Sequence, residues 1–238
     1  MNIAVIFAGG TGTRMKTTSK PKQFLELHGK PILIYTLELF QHAMTIDGIV
    51  VVMLESWIDY TKELIDKYRI SKVEAVIPGG ETGQESIFLG VKKAHEIYPD
   101  DSVVLIHDGV RPLIDVDTIE NCIKCVREKG NAITVSPATE TIALKSEESV
   151  GKILPRKDCL IAKAPQCFLL GEFYQAHISA RESGYNDFID SASLMQFYGH
   201  DLYTVQGPAE NIKITTPADF YIFRAIADAR ENSQIFGL

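Results

Sequence analysis

Asn2-Ile3-Ala4-Val5-Ile6-Phe7-Ala8-Gly9-Gly10-Thr11-Gly12-Thr13-Arg14-Met15 decides how the rest of the chain is read. An unbroken apolar run, Ile3–Phe7, gives way to three glycines within four positions. A short run with no polar alternation reads as a strand covered on both faces. Similar runs return at Gly48–Met53, Val73–Ile77, Ser102–His107 and Ala132–Val135. Between them apolar residues recur at helical spacing. Ile32, Tyr35, Thr36, Leu39 and Phe40 form one stripe; Trp57, Tyr60, Leu64, Ile65 and Tyr68 a second; Ile87, Val91, Ala94 and Ile97 a third. Strands alternating with helices build βαβ units. The expected fold is therefore α/β, a mostly parallel sheet with helices on both faces, in a single domain spanning residues 1–238.

The stretch from about 137 to 163 breaks this rhythm. Thr141-Ile142-Ala143-Leu144 and Lys152-Ile153-Leu154 flank a polar link that ends in Gly151. This predicts a protruding β-hairpin arm. An isolated hairpin is marginal in water, so the arm is expected to pair with a second copy in a homodimer. Beyond it, helices are expected over 168–182, 189–198 and 216–231, and a strand at Leu202–Val205.

The 238 residues are 45% hydrophobic and 23% charged, which excludes disorder as the main state. With 24 Lys+Arg against 31 Asp+Glu the net charge is −7, so the basic footprint of a nucleic-acid binder is missing. No apolar run approaches the ~18 residues of a membrane span, and the opening residues read as a buried strand rather than a signal peptide. A cytoplasmic location with no membrane partner is expected. Cys122-Ile123-Lys124-Cys125 has C-x-x-C spacing, but it lies inside an apolar-periodic segment, as buried thiols would.

Ligands of open α/β sheets bind beyond the carboxyl ends of the strands, which is where Gly9, Gly10 and Gly12 lie. Glycines there let backbone N–H groups approach anionic oxygens. The dinucleotide fingerprint fails at Met15, and no glycine of the loop precedes a lysine as a phosphate loop requires. Arg14, Lys16, Lys20 and Lys22 follow at once, with no carboxylate between Met1 and Leu25. Uncompensated cations beside a glycine-rich strand end suit a triphosphate. Asp108, at the end of the fourth predicted strand, is either a helix cap or a ligand for Mg²⁺ or a hydroxyl, with Arg111 close by for a phosphate. Lys213 alternates away from Ile212 and Ile214.

Taken together, Ala8–Met15, Pro21-Lys22-Gln23-Phe24, His107-Asp108-Gly109-Val110-Arg111-Pro112 and Asn211-Ile212-Lys213-Ile214-Thr215 resemble the alditol-phosphate cytidylyltransferases over nearly the whole chain. The resemblance implies a Rossmann-like domain whose β-arm interlocks a homodimer. It implies that CTP and a polyol phosphate give a CDP-alditol and pyrophosphate, with Mg²⁺ as cofactor. Arg14, Lys22 and Lys213 would be catalytic. Ala8, Gly9, Gly10, Thr11 and Gly12 would line the nucleotide, with Gly79, Gly80 and Ser86 around the base and ribose. Asp108, Arg111, Thr141 and Arg156 would serve the acceptor, the last two from the arm and across to the partner subunit, and Asp108 would also be the metal ligand.

Such a reaction needs no general base, because the attacking phosphate oxygen is already ionised. The barrier lies in bringing two anions together, and preorganised positive charge lowers it. Ala164 and Gly83 depart from the family pattern, which has Thr and Arg there. The opening loop, Lys30-Pro31-Ile32-Leu33-Ile34 and Trp57–Thr61 look closer to the ribitol 5-phosphate branch than to the methylerythritol phosphate branch. A sugar-phosphate nucleotidyltransferase using another base, and a nucleotide-binding relative without catalysis, stay open as alternatives.

Overall fold

The computed structural model describes residues 1–10, 20–185 and 188–236, with side chains to residue 232. Thr11, Gly12 and Arg14 of the expected site lie outside the described residues. The chain opens with β1 (Asn2–Phe7), β2 (Glu26–Leu27) and β3 (Lys30–Pro31), followed by α1 (Ile32–His42), β4 (Gly48–Met53) and α2 (Ile58–Lys67). Next come β5 (Val73–Pro78), α3 (Gly83–Ile97), β6 (Val103–Asp108), α4 (Val116–Lys129) and β7 (Asn131–Pro137). Then follow β8 (Ile142–Ser146), β9 (Ser149–Leu154), β10 (Leu160–Leu169), α5 (Leu170–Glu182), α6 (Ser191–Phe197), β11 (Thr204–Gln206) and α7 (Pro217–Phe236).

Seven strands form one sheet in the order β11-β7-β10-β6-β1-β4-β5. β1 lies between β4 and β6, parallel to both. The sheet is buried on both sides because successive residues of its strands feed opposite layers. Ala4, Ile6, Val51 and Met53 pack against α1, α2 and α4. Ile3, Val5, Val50 and Val52 pack against α3, α5 and α6. Burying residues of both parities explains the continuous apolar runs.

Three strands escaped the sequence reading: the two-residue β2 and β3, which pair with each other, and the long β10. β10 is antiparallel to β6 and β7 and lies between them. The expected helix over 168–182 begins two residues later than predicted, since Phe168 and Leu169 complete this strand. A proline in an apolar run argues against a strand except at an irregularity, and Pro165 lies at one. From Ala162 to Gln166 β10 advances four residues while β7 advances two, Val135 to Ile133. The expected helix over 189–198 is the shorter α6, capped by Asp190, and the expected strand at Leu202–Val205 is β11, shifted to Thr204–Gln206.

β8 and β9 form a separate antiparallel hairpin. Leu144, Val150 and Ile153 on it are 52, 69 and 60% exposed, so the hairpin buries little against its own chain. Cys122 is fully buried, its thiol 3.4 Å from the Thr134 hydroxyl, as a core residue would be.

Candidate active site

The carboxyl ends of β1, β5 and β6 open onto two adjoining cavities. The first, of about 310 Å³, is bounded by Ala8, Gly9 and Gly10 after β1, by Lys22, and by Gly80 and Ser86 between β5 and α3. The glycine-rich backbone is held from beneath. The buried Gln23 amide donates to the Ala8 carbonyl at 2.6 Å, and Ala8 N–H donates to the Val52 carbonyl at 2.7 Å. The Ser86 hydroxyl accepts from Gly80 N–H at 3.1 Å and donates to the Thr82 carbonyl at 2.9 Å. A Cβ at Gly79 would stand 2.8 Å from the Ser86 oxygen, so this crossing admits no side chain. Thr82 then caps α3, accepting from Glu85 N–H at 3.0 Å.

The second cavity, of about 390 Å³, lies between the end of β6, the middle of β10 and the start of α6. Lys163, Ala164 and Gln166 line it from β10, and Asp190 and Ser191 from α6. Gln166 donates to an Asp190 carboxylate oxygen at 2.8 Å and accepts from Ala192 N–H at 2.9 Å, tying β10 to the start of α6. Phe7, Thr82, Gly83, Asp108 and Lys213 belong to both cavities and mark where they meet.

Asp108 is the electrostatic centre of that junction. The strand end buries it, and its two oxygens hold two cations. Arg111 Nε lies 2.7 Å from Oδ2 and Lys213 Nζ 2.5 Å from Oδ1. Burial alone would push the carboxyl up, but Arg111 and Lys213 together outweigh it and hold it below the usual carboxylate range. Asp108 does not cap a helix, since Asp115 caps α4. Arg111 is aimed further by its bond to the Asn211 carbonyl at 3.0 Å, and Asn211 is buried and donates to the Ala164 carbonyl at 2.7 Å. Lys213 also stands 5.7 Å from the centre of the Phe7 ring. His107, on the same strand end, is fully buried and bonds to the Arg111 carbonyl at 3.1 Å.

Among the described residues no group of three or more His, Cys, Asp or Glu side chains could hold a metal ion. Both Asp108 oxygens are engaged by cations. A Mg²⁺ ion here would therefore take most of its ligands from phosphate oxygens and water. Asp108 could join only where Lys213 or Arg111 releases an oxygen.

Of the residues expected from sequence, Ala8, Gly9, Gly10, Lys22, Gly80, Ser86, Asp108 and Lys213 share the first cavity, and Arg111 lines the second. Gly79 stands just behind, against Ser86. Thr141 and Arg156 line neither cavity of their own chain. Arg156 is exposed and donates to the Thr139 carbonyl at 2.9 Å, close to the base of the hairpin. The sequence reading assigned no role to Gln23, Lys163, Gln166 and Asp190. Gln23 and Gln166 lay inside quoted motifs without a role of their own, whereas the place of Lys163 and Asp190 depends on β10 entering the sheet, which periodicity did not reveal.

The arrangement is a rim of cations around two joined cavities, one lined by glycine backbone and one by side chains. Residues 2–229 match the family model described as 2-C-methyl-D-erythritol 4-phosphate cytidylyltransferase. The chain is 55% identical over its full length, and the full length of the relative, to a ribitol-5-phosphate cytidylyltransferase of Vibrio parahaemolyticus. It is 39% identical over 93% of its length to a 2-C-methyl-D-erythritol 4-phosphate cytidylyltransferase of Clostridium acetobutylicum, covering 95% of that protein. The crystal structure of the 4-diphosphocytidyl-2C-methyl-D-erythritol synthase of Anaerococcus prevotii superposes with a TM-score of 0.81 at 26% identity, covering 95% of this chain and 96% of that one.

Proposed function

The chain belongs to the 2-C-methyl-D-erythritol 4-phosphate cytidylyltransferase family, and from that membership we propose that it transfers the cytidylyl group of CTP to ribitol 5-phosphate. The products are CDP-ribitol and pyrophosphate. The observation that carries the choice of acceptor is the full-length 55% identity to a ribitol-5-phosphate enzyme, against 39% to a methylerythritol-phosphate enzyme.

The geometry suits this chemistry. CTP occupies the glycine-lined cavity, with its triphosphate along Ala8–Gly10 and Lys22. The polyol phosphate enters the second cavity, and its phosphate meets the α-phosphorus where Asp108 and Lys213 join the two spaces. An ionised acceptor oxygen attacks the α-phosphorus in line, the bond to the bridging oxygen breaks, and pyrophosphate leaves with its electron pair. Lys213 is held by Asp108 and Arg111 by Asp108 and Asn211, so these cations are oriented before substrate arrives. Positive charge fixed in advance need not reorganise as charge builds in the transition state. Mg²⁺ carried by the triphosphate would neutralise further charge. Arg14 belongs with Lys22 on the triphosphate in this reading. Two copies pair through the β8–β9 hairpin and bring Thr141 and Arg156 to each other's acceptor cavity. No helix among the described residues is long and apolar enough to cross a membrane, in keeping with a cytoplasmic site of action.

The test is incubation of the purified protein with CTP and Mg²⁺ and either ribitol 5-phosphate or 2-C-methyl-D-erythritol 4-phosphate, with the product identified by mass. CDP-ribitol is the expected product. Turnover confined to methylerythritol phosphate would reassign the acceptor. Pyrophosphate release with UTP and none with CTP would remove the cytidylyl assignment.

A further inference from the structure

Lys163 has no place in the sequence-level account, yet it reaches the acceptor cavity from the middle of β10. Its strand is irregular between Ala162 and Gln166, where two extra residues stand opposite β7. Its ammonium donates to the Ala209 carbonyl at 2.6 Å and reaches the Pro208 carbonyl at 3.4 Å. Those neutral acceptors fix the position of the charge without cancelling it. Arg111 and Lys213 share the Asp108 carboxylate. Lys163 has no carboxylate within ion-pair distance among the described residues. Glu210, whose charge acts on it, is paired with Arg230 at 3.4 Å. Asp190 is committed to Ser193 N–H and to Gln166. Burial and the neighbouring Arg111 both push the Lys163 proton affinity down.

We propose that Lys163 is an acceptor-binding residue whose ammonium receives the phosphate of the polyol phosphate in the second cavity, beside Arg111. The proposal rests on the reading above in needing a phosphomonoester there. A phosphate dianion is the chemical complement of a fixed ammonium without a counter-ion. A hydroxyl would be served as well by a neutral amide such as that of Gln166, which lines the same cavity.

Lys163→Met and Lys163→Arg, assayed by steady-state kinetics against both substrates, test the assignment. Removing one charge-assisted contact should raise KM for ribitol 5-phosphate by roughly tenfold or more. KM for CTP should stay within about twofold, and Lys163→Arg should recover most of the loss. An unchanged acceptor KM, or equal losses for both substrates, would overturn the proposal. If Lys163 only braced the Pro208–Ala209 turn, the Met variant would lose thermal stability and CTP affinity together. Should the wild-type enzyme turn over neither polyol phosphate, the functional reading fails on its own. Lys163 is then decided by titrating inorganic phosphate into the CTP-free protein, where equal affinity in wild type and Lys163→Met would refute an anion site.

Discussion

Lys22 stands at the wall shared with the glycine backbone, its Cε 3.9 Å from where a Cβ on Gly10 would be. Losing one charge-stabilising donor at such a place typically slows chemistry by roughly 10²–10³. Lys22→Ala is expected to lower kcat by that order at saturating CTP, and a near-normal kcat would remove Lys22 from the reaction. Two buried histidines contribute to the acid sensitivity of the fold. His107 is pushed down to about 4 by burial, against the opposing bond to the Arg111 carbonyl. His177 is pushed down to about 4 by burial and then by Arg181. Their folded values lie below the unfolded value of ~6.5, so the unfolded chain takes up protons first as pH falls. The stability they allow is complete above about pH 6.5, declines between there and about 4, and falls no further on their account below that. The full contribution of each is of the order of 3 kcal/mol. His177 sits 4.7 Å from the Phe173 ring centre with its Nε2 unpartnered among the described residues. His177→Phe should therefore flatten the pH dependence of unfolding free energy by about one proton in that window. Urea titrations at pH 7 and pH 5 measure it, and an unaltered slope would contradict the neutral, buried assignment.

Element packing decides which substitutions the scaffold tolerates. α3 passes so close to β1 and β4 that a Cβ at Gly90 would stand 2.5 Å from a Val5 methyl and 2.7 Å from a Val52 methyl. On propensity alone Gly→Ala within a helix gains up to about 1 kcal/mol. Here overpacking against two stiff β-branched side chains should outweigh that gain, for a net loss of about 1–3 kcal/mol. Denaturant unfolding of Gly90→Ala reads this directly, and a stabilised variant would show that the helix can move away. Because α3 begins at the junction of the two cavities, the same variant should also weaken CTP binding. β10 illustrates the limit of local reading at this scale. Its outer half, Leu160 and Ile161, is 53 and 43% exposed, its middle carries Pro165, and its last residues lead straight into α5. Nothing in those ten residues alternates cleanly, and their strand character comes from two partners far away in sequence, β6 and β7.

The whole molecule presents the hairpin outward with Leu144, Val150 and Ile153 uncovered, the kind of face that an oligomer contact covers. If the arm serves the partner's cavity, an Arg156→Ala or a Lys213→Ala homodimer carries one defect in each of its two sites, whereas a mixed dimer gathers both defects in one site and leaves the other intact. Each homodimer should be nearly inactive. A refolded or co-expressed mixture should recover roughly one quarter of wild-type activity, since about half the dimers are mixed and each contains one intact site. No recovery in a mixture verified as heterodimeric would place Arg156 in its own chain's chemistry or in none.

The sequence by itself determined the α/β alternation, the carboxyl edge where the two cavities open, and the motifs holding Lys22, Asp108, Arg111 and Lys213. Those features are local, since strand runs, helical stripes and glycine-rich strand ends are written in neighbouring residues. Only the tertiary structure decided that β10 inserts antiparallel between β6 and β7, that Asp108 is shared by two cations, and that Lys163, Gln166 and Asp190 form the wall of the second cavity. Each of these arises from residues tens of positions apart whose pairing follows from burial and charge balance in the assembled sheet, which no window along the chain contains.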